Sequence, residues 1–228
     1  MRIDCHTHTA CHSSCATHMP TELMELARMR SIDAVVITEH NYQWTPRDLA
    51  PLRQGFPELA IYGGVELTLT EGYDVVVISP GLPPKLPAYP SLDRLMRDIA
   101  PMREDTFCFV AHAFRYVSEI NPVLSRILDC VDGMEMNSVN ILRPGVRLTP
   151  DGYQPVNRDC YEEAARRWDP VPLWNTDAHH APAVGAFATI LDGVEPPGDE
   201  AGLARLLKTT RGRPWQNTQV LERYLEWR

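Results

Sequence analysis

The sequence lacks the features that define several common classes of protein. No apolar run approaches the roughly 18 residues that a membrane-spanning helix needs, so we expect no membrane association. The chain has no internal repeat and no low-complexity linker, and its 228 residues suit one domain, which we place at 1–228. The glycines of "YGGVE" are not followed by the lysine of a Walker phosphate-binding loop. We therefore do not expect a P-loop nucleotide-binding protein.

Positively charged residues are outnumbered by negatively charged ones. The chain has 22 Lys and Arg residues against 30 Asp and Glu residues, which gives a formal net charge of −8 and a pI near 5.5. An acidic chain has no sequence-independent attraction for nucleic acid. We therefore expect no nucleic-acid partner.

Disulfide bonds are a further feature that we do not expect. The six cysteines are Cys5, Cys11, Cys15, Cys108, Cys130 and Cys160. Several of them lie inside strand-like runs such as "TFCFVAHA", and the start "MRIDCHTH" has no apolar segment of the kind found in a signal peptide. The pattern indicates reduced thiols and a cytoplasmic location.

What the sequence does contain is an alternation of short apolar runs and helix-like segments. The predicted strands are 2–5, 33–38, 59–69, 73–79, 106–112, 132–137, 171–176 and 186–191. The predicted helices are 20–30, 45–55, 91–100, 122–129, 157–168 and 199–210, and 141–155 is predicted to be a long loop. About seven strand–helix units in succession predict an α/β fold with a parallel sheet closed, or nearly closed, into a barrel.

Imidazoles and carboxylates stand at the ends of nearly all predicted strands. They are His6, His8, Glu39, His40, Glu66, Asp74, His112, Glu135, Asp177, His179 and His180. In a parallel barrel the C-terminal ends of the strands converge on one face, where active sites are built. His6 and His8 are two residues apart on an extended chain, so their side chains point the same way. Asp177 and His179 repeat that spacing.

Each of these residues alone is weak evidence for a metal. A single histidine at a strand end is more often a hydrogen-bonded structural residue, and one H-x-H pair is a weak signal. Taken together, however, so many ionisable groups on one buried face would cost much desolvation and repulsion without a cation. Mixed imidazoles and carboxylates suit zinc, manganese or iron better than magnesium or calcium. The pattern therefore predicts a metal centre.

Six motifs in order along residues 4–185 resemble the PHP family, the polymerase and histidinol phosphatase phosphoesterases. They are "DCHTHT", "AVVITEHN", "GGVELT", "VAHAFR", "GMEMN" and "NTDAHHAPAVG". The resemblance implies a distorted (β/α)7 TIM-like barrel with its site at the C-terminal ends of the strands. It also implies two or three divalent ions, which we expect to be Zn, Mn or Fe.

The resemblance also assigns ligands. It implies that His6, His8 and Asp177 hold one ion, that Glu66 bridges to a second ion held by His112, and that His40 and His179 hold a third. Glu39 is expected to orient a ligand.

Two departures from the family pattern bear on these ligands. Asp74 stands where relatives commonly have a histidine, and we include it as a ligand, although a surface turn is an equal interpretation. The loop after His8 should add a ligand to the third ion, and the spacing leaves His12, Cys15 and His18 open.

The function implied is hydrolysis of a small-molecule phosphate ester through a metal-bridging hydroxide. Arg115, in "HAFR", is the candidate for binding the substrate phosphate. Arg143 and Arg147 lie on the predicted long loop and could reach the mouth of the site, Arg143 more readily than Arg147.

Two alternatives stay open. An amidohydrolase-type enzyme would cleave C–N bonds on the same metals, but such barrels typically carry a carboxylated lysine on a strand. The only lysines here, Lys85 and Lys208, lie outside the predicted strand ends. The other alternative is a non-catalytic metal-binding PHP module. The sequence specifies neither the substrate, nor the number of ions, nor the oligomeric state.

Overall fold

The structure, a computed structural model that describes residues 1–227, is built around one nine-stranded sheet. Within those residues the strands are β1 (Arg2–Thr7), β2 (Ala34–His40), β3 (Ala60–Thr68), β4 (Asp74–Ile78), β5 (Phe107–Ala111), β6 (Gly133–Asn137), β7 (Val146–Thr149), β8 (Gly152–Pro155), β9 (Val171–Trp174), β10 (Phe187–Ile190) and β11 (Arg213–Gln216). The large sheet has the order β11-β10-β1-β2-β3-β4-β5-β6-β9, while β7 and β8 form a separate hairpin.

Helices connect these strands in the predicted alternation. They are α1 (Pro20–Met29), α2 (Pro46–Gly55), α3 (Leu92–Ile99), α4 (Pro122–Leu128), α5 (Arg158–Trp168), α6 (Glu200–Thr209) and α7 (Thr218–Trp227). Their starts follow local chemistry: Thr45, Ser91 and Asn121 each accept a backbone N–H at the head of a helix. No helix among residues 1–227 is long and apolar enough to cross a membrane.

The sheet closes almost completely, so the predicted barrel is confirmed. At its seam, Thr189 of β10 donates its hydroxyl to the Trp174 carbonyl of β9 at 3.0 Å and accepts the Trp174 N–H at 2.8 Å. Just beyond β9, the Asp177 N–H donates to the His6 carbonyl at 2.8 Å. This hydrogen bond joins the segment after β9 to β1. The first and the last ligand motifs of the sequence, around His6 and around Asp177, therefore lie side by side.

The expectation of a purely parallel sheet is wrong for β4, β10 and β11. β4 pairs antiparallel with both β3 and β5, and β10 pairs antiparallel with β1 and β11. The connection from Thr68 to Asp74 is too short for the crossover that parallel neighbours need. Because β4 runs the other way, its first residue, Asp74, lies at the edge where β3 and β5 end.

Two further parts of the fold were not predicted: a hairpin within the predicted loop 141–155, and the strand and helix that follow α6. The predicted loop 141–155 contains the β7–β8 hairpin, and the chain after α6 forms β11 and α7. The hairpin strands are four residues each and largely solvent-facing, so they carry little hydrophobic periodicity. The turn at "TPDG" was the available signal, since Pro, Asp and Gly favour tight turns.

Strand alternation separates the barrel interior from its outer surface. Val65 and Leu67 of β3 pack outward with α3 and α4, while Glu66 between them faces the same side as its register partner Val76. In β1 the pairing with β2 shifts register between Asp4 and Thr7. That irregularity lets His6 turn inward although Cys5 before it already belongs to an interior cluster.

Gly63 of β3 lies close to the backbone of Trp44, and this contact gives a stability prediction. A Cβ at Gly63 would lie 2.6 Å from the Trp44 carbonyl oxygen, so Gly63→Ala should destabilise the fold by about 1–3 kcal/mol. Gly55→Ala is the matched control, because nothing lies within 4 Å of a Cβ there. Urea denaturation measures both variants, and equal stabilities would contradict the packing argument.

Candidate metal centre

The structure brings the predicted ligands together in three groups at the C-terminal edge of the barrel. Within each group the ligand atoms lie within 4.8 Å of one another. The groups are His6, His8 and Asp177; His6, Glu66 and His112; and His8, His40 and His179. Every predicted metal residue except Asp74 belongs to one of them.

The ends of two strands have a backbone conformation that places side chains in the site. His112 follows β5 with a φ of 31°, and Asp177 follows β9 with a φ of 51°. Positive φ is costly for residues other than glycine and concentrates at functional sites. His112 comes directly after the last residue of β5, whereas Asp177 lies three residues beyond β9 and next to Ala178, which forms a bridge with Thr7 of β1.

Hydrogen bonds fix the tautomers of His6 and His8. The Nδ1 of His6 lies 3.1 Å from a Glu135 carboxylate oxygen, which can only accept, so this nitrogen carries the proton. The Nδ1 of His8 lies 3.2 Å from the Ser13 hydroxyl, whose own proton goes to Glu39 at 2.5 Å. The Ser13 oxygen therefore accepts from His8. Both imidazoles keep their lone pairs on Nε2.

Those two Nε2 atoms face each other at a distance of 3.1 Å. With one lone pair on each nitrogen, this contact requires a proton or a metal ion between the two atoms, and about 3.3 Å is the spacing of neighbouring ligands around a tetrahedral zinc. The Oδ1 of Asp177, buried in the same group, has no hydrogen-bond partner. The donor set and this unpartnered oxygen fit a divalent metal ion.

The electrostatics of the group lead to the same conclusion. Burial alone would lower the pKa of His6, but the carboxylates of Asp177, Glu66 and Glu135 outweigh it and hold the pKa well above its usual range. Burial likewise favours neutral Glu66 and Asp177, yet the surrounding imidazoles lower the pKa of both carboxyls. The buried carboxylates therefore stay ionised, and they are stable there only with positive charge close to them.

The second group is centred on Glu66. Its Oε1 lies 3.2 Å from the Nε2 of His112, and its Oε2 lies 3.1 Å from the Nδ1 of His40. One carboxylate thus contacts imidazoles of two groups, which is the position that a bridging ligand needs.

Asp74 lies beside this group and not in it. Its Oδ2 is 3.7 Å from the Nδ1 of His112, on the side of the ring away from Glu66, and its Oδ1 is buried without a partner. Burial is the main reason that the pKa of Asp74 is raised. This placement suits a residue that orients His112, and its role as a ligand stays a prediction.

The third group shows which loop residue lies near it. His12 stacks on Tyr42 with ring centroids 3.5 Å apart, and His18 is buried outside the group, where burial lowers its pKa to about 4. Cys15 instead forms side-chain hydrogen bonds with His179 and His40, which lower its pKa to about 6.

Two buried glutamates position the ligands. Glu39, predicted to orient a ligand, accepts hydrogen bonds from Thr9, Ser13 and Trp44 and so acts on His8 through Ser13. Glu135 was noted only as a strand-end residue. It accepts from the backbone N–H of His112 at 3.1 Å as well as contacting His6. Such partners fix ring orientation and raise ligand basicity.

A cavity of about 360 Å³ opens onto the three groups, a size at the small end of ligand sites. Arg115, Arg143 and the strand-end residue His180 line it, and so do Asn140 and Tyr224, which were not predicted as site residues. Arg147 lies on exposed β7 and does not line the cavity. The Asn140 amide donates to the Asp177 carboxylate at 2.5 Å, so it helps to hold that ligand.

Comparison with solved structures gives the fold. The chain is similar to PsfC from Pseudomonas syringae PB-5123, with a TM-score of 0.69 and 18% identity over 99% of this chain and 95% of that one. It is similar to a two-domain protein from Bacteroides vulgatus containing a predicted PHP-like metal-dependent phosphoesterase (TM-score 0.67, 14% identity, 99% of this chain and 69% of that one). An amidohydrolase from Chromobacterium violaceum matches with a TM-score of 0.56 and 15% identity over 100% of this chain and 96% of that one.

The chain has the fold that these structures share. The resemblance to the PHP family is thus confirmed at the level of the fold, which an amidohydrolase shares. No protein-family model and no curated protein matches the sequence.

Proposed function

We propose that this protein is a metal-dependent phosphoesterase that hydrolyses a small-molecule phosphate monoester to an alcohol and inorganic phosphate. The observation that carries the proposal is the pair of Nε2 atoms of His6 and His8, 3.1 Å apart, beside the unpartnered Oδ1 of Asp177. When bound there and at the neighbouring groups, Zn, Mn or Fe would supply an acidified water and neutralise charge on the phosphoryl oxygens.

The residues of the chain divide the remaining tasks. His6, His8 and Asp177 would hold one ion, Glu66 would connect it to a second at His112, and His40 with His179 would hold a third. The cavity wall adds positive charge opposite these groups, since Arg115 and Arg143 line it. A guanidinium binds phosphate oxygens in a bidentate manner, so Arg115 is proposed to grip the substrate phosphate. Its guanidinium lies 4.8 Å from the Tyr116 ring centroid, which supports its side chain.

The likeness to an amidohydrolase supports a second candidate, hydrolysis of a C–N bond on the same metals. The position of the lysines opposes it. Lys85 lies in the segment between β4 and α3, and Lys208 lies on α6 with its amine hydrogen-bonded to the Arg103 carbonyl. Neither lines the cavity.

Metal removal and reconstitution test the proposal. Protein stripped with a chelator should release no phosphate from a panel of nucleotide, sugar and amino-alcohol phosphates, and adding Mn²⁺, Zn²⁺ or Fe²⁺ should restore release by more than 100-fold for at least one ester. The His6→Ala/His8→Ala double variant should stay inactive after the same reconstitution. Phosphate release that survives the chelator, or metal-dependent cleavage confined to a parallel panel of amides, would contradict a phosphoesterase.

A further inference from the structure

We infer that the cavity between α1 and α7 is a second binding site, which takes a small organic anion with an apolar body, such as a medium-chain carboxylate. The site does not rest on the proposed function, because none of its lining residues belongs to the metal groups or lines the catalytic cavity. Its volume of about 650 Å³ exceeds the 360 Å³ of the catalytic cavity and lies within the range of small-molecule sites.

The cavity offers an apolar surface that is open to solvent. Leu26 and Met29, from α1, face Val220 and Trp227, from α7, across it. Met29 is 75% exposed and Trp227 is 55% exposed. Single apolar residues on a protein surface need no explanation, but apolar side chains grouped around one cavity provide area that a ligand can cover.

The same cavity carries unmatched positive charge. Arg30 and Arg223 both line it, and neither forms an ion pair with a carboxylate among residues 1–227. Glu22 is the only acidic residue in the described lining, so two guanidiniums against one carboxylate give a local charge of +1 in a chain of net charge −8. Burial, and then the charge of Arg223, lower the pKa of Arg30. A bound anion would stabilise both guanidiniums.

Arg30 is held in place at the wall of the cavity. Its Nη1 donates to three backbone carbonyl oxygens, those of Ala181, Pro182 and Val184. These hydrogen bonds join the end of α1 to the segment that follows His179. Within residues 1–227 they all use Nη1, so Nε and Nη2 are left as donors for a bidentate contact with a carboxylate. A donor that is already fixed loses little conformational freedom on binding.

Helix α7 separates this cavity from the catalytic one. Tyr224 lines the catalytic cavity, whereas its neighbour Arg223 lines the second cavity. The ring centroid of Trp227 lies 5.0 Å from that of His180, which lines the catalytic cavity. A ligand of the second cavity would therefore lie next to the catalytic cavity without entering it.

Calorimetric titration of the full-length protein with fatty acids tests the inference. Affinity should rise about 4-fold per added methylene from butanoate to octanoate, because the chain is buried against apolar side chains. Octanamide has the same shape without the charge and should bind on the order of 10-fold more weakly than octanoate. Absence of octanoate binding at millimolar concentration overturns the inference, and so does equal affinity for octanoate and octanamide or for octanoate and butanoate.

Variants locate the bound anion. Arg223→Gln should weaken octanoate binding by on the order of 10-fold, and this exposed side chain makes no ion pair whose loss would disturb the fold. Arg97→Gln, on an exposed arginine of α3 outside the cavity, is the matched control and should keep full affinity. Arg115→Gln, in the catalytic cavity, should keep it too. Weaker binding in Arg115→Gln but not in Arg223→Gln would overturn the inference.

Metal provides a further test of location. Octanoate affinity should be the same with and without chelator, because the second cavity contains no residue of the metal groups. Affinity that depends on metal would place the carboxylate at the catalytic centre and overturn the inference. Octanoate binding and phosphate release are separate measurements, so failure of either one leaves the other proposal standing.

The other occupant to be tested is a second copy of the chain. Sedimentation velocity should give the same oligomeric state for the wild type and for Trp227→Gln, whose side chain is largely exposed. A dimer that dissociates in this variant would assign the cavity to a subunit interface and overturn the inference.

Discussion

Asp177→Asn should reduce kcat/KM for phosphate ester hydrolysis by on the order of 10³-fold, which corresponds to about 4 kcal/mol of transition-state stabilisation. The substitution keeps the shape of the side chain and removes its charge. The carboxylate lies 3.5 Å from the Nε2 of His6 and 3.4 Å from the Nε2 of His8, so the two imidazoles would lose one of the two carboxylates, with that of Glu66, that contact them both. Asparagine also tolerates the left-handed backbone at this position, where φ is 51°. The fold should therefore survive while metal content falls.

Elemental analysis and steady-state kinetics on the same preparation check this expectation. Asp151→Asn is the matched control, because the Asp151 side chain is 68% exposed and its ion pair with Arg158 lies at the surface. Exposed pairs of this kind contribute about 0–1 kcal/mol, so the control should keep wild-type metal content and activity. An Asp177→Asn protein with full metal content and full activity would remove Asp177 from the centre.

The part of the site that could be predicted from sequence is the part fixed by strand geometry. His6 and His8 are two residues apart at the end of the first strand, and parallel strand ends meet on one face, so a barrel predicts their convergence with Asp177 and His179, although not the register shift that turns His6 inward. The same reasoning located Glu66, the carboxylate carried by the predicted strand 59–69.

The remaining features depend on tertiary contacts that no local pattern encodes. The choice among His12, Cys15 and His18 depends on how the loop folds back on itself, and here Tyr42 stacks on His12 while burial encloses His18. The role of Glu135 depends on a hydrogen bond across the barrel to His6. The position of Asp74 reflects the reversed direction of β4, which the short connection before it could have indicated.

The stability of the metal-free protein should decline as pH rises, because protons take the place of metal ions between the imidazoles and carboxylates. Burial lowers the pKa of His112, but the hydrogen bond with Glu66 and the charge of Asp177 outweigh it and raise that pKa from 6.5 to about 9. The pKa of His40 is likewise raised to about 10 despite burial, by its contacts with Cys15 and Glu66, but the pKa of Cys15 is lowered to about 6 by His179 and His40, so His40 and Cys15 together add to the decline only above about pH 9. A folded-state pKa above the unfolded value means that stabilisation is complete below pH 6.5 and is lost as pH rises through 9 to 10.

The lowered pKa values of Glu66 and Asp177 determine how the stability of the metal-free protein changes at acid pH. Their contribution is complete above the ordinary carboxyl pKa values, 4.5 for Glu66 and 3.8 for Asp177, and is lost as pH falls below them. The combined contribution of His112, His40, Glu66 and Asp177 to the stability of the metal-free protein should therefore be greatest between about pH 5 and 6.5. His112 alone should account for about 3 kcal/mol of the alkaline loss, at about 1.4 kcal/mol per pKa unit.

Bound metal should remove the alkaline decline, since a metal ion needs neutral imidazoles and competes with protons for them. The gain in unfolding free energy on adding Zn²⁺ or Mn²⁺ should therefore increase from pH 6.5 to pH 9. Urea denaturation at a series of pH values, with chelator and with metal, measures both curves. His112→Gln should flatten the alkaline limb of the metal-free curve, whereas His12→Gln, on an exposed residue stacked against Tyr42, should leave it unchanged. A metal-free protein equally stable at pH 6 and pH 10 would show that these imidazoles are not charged in the folded state. That result would contradict the pairing of charged imidazoles with the carboxylates of Glu66 and Asp177.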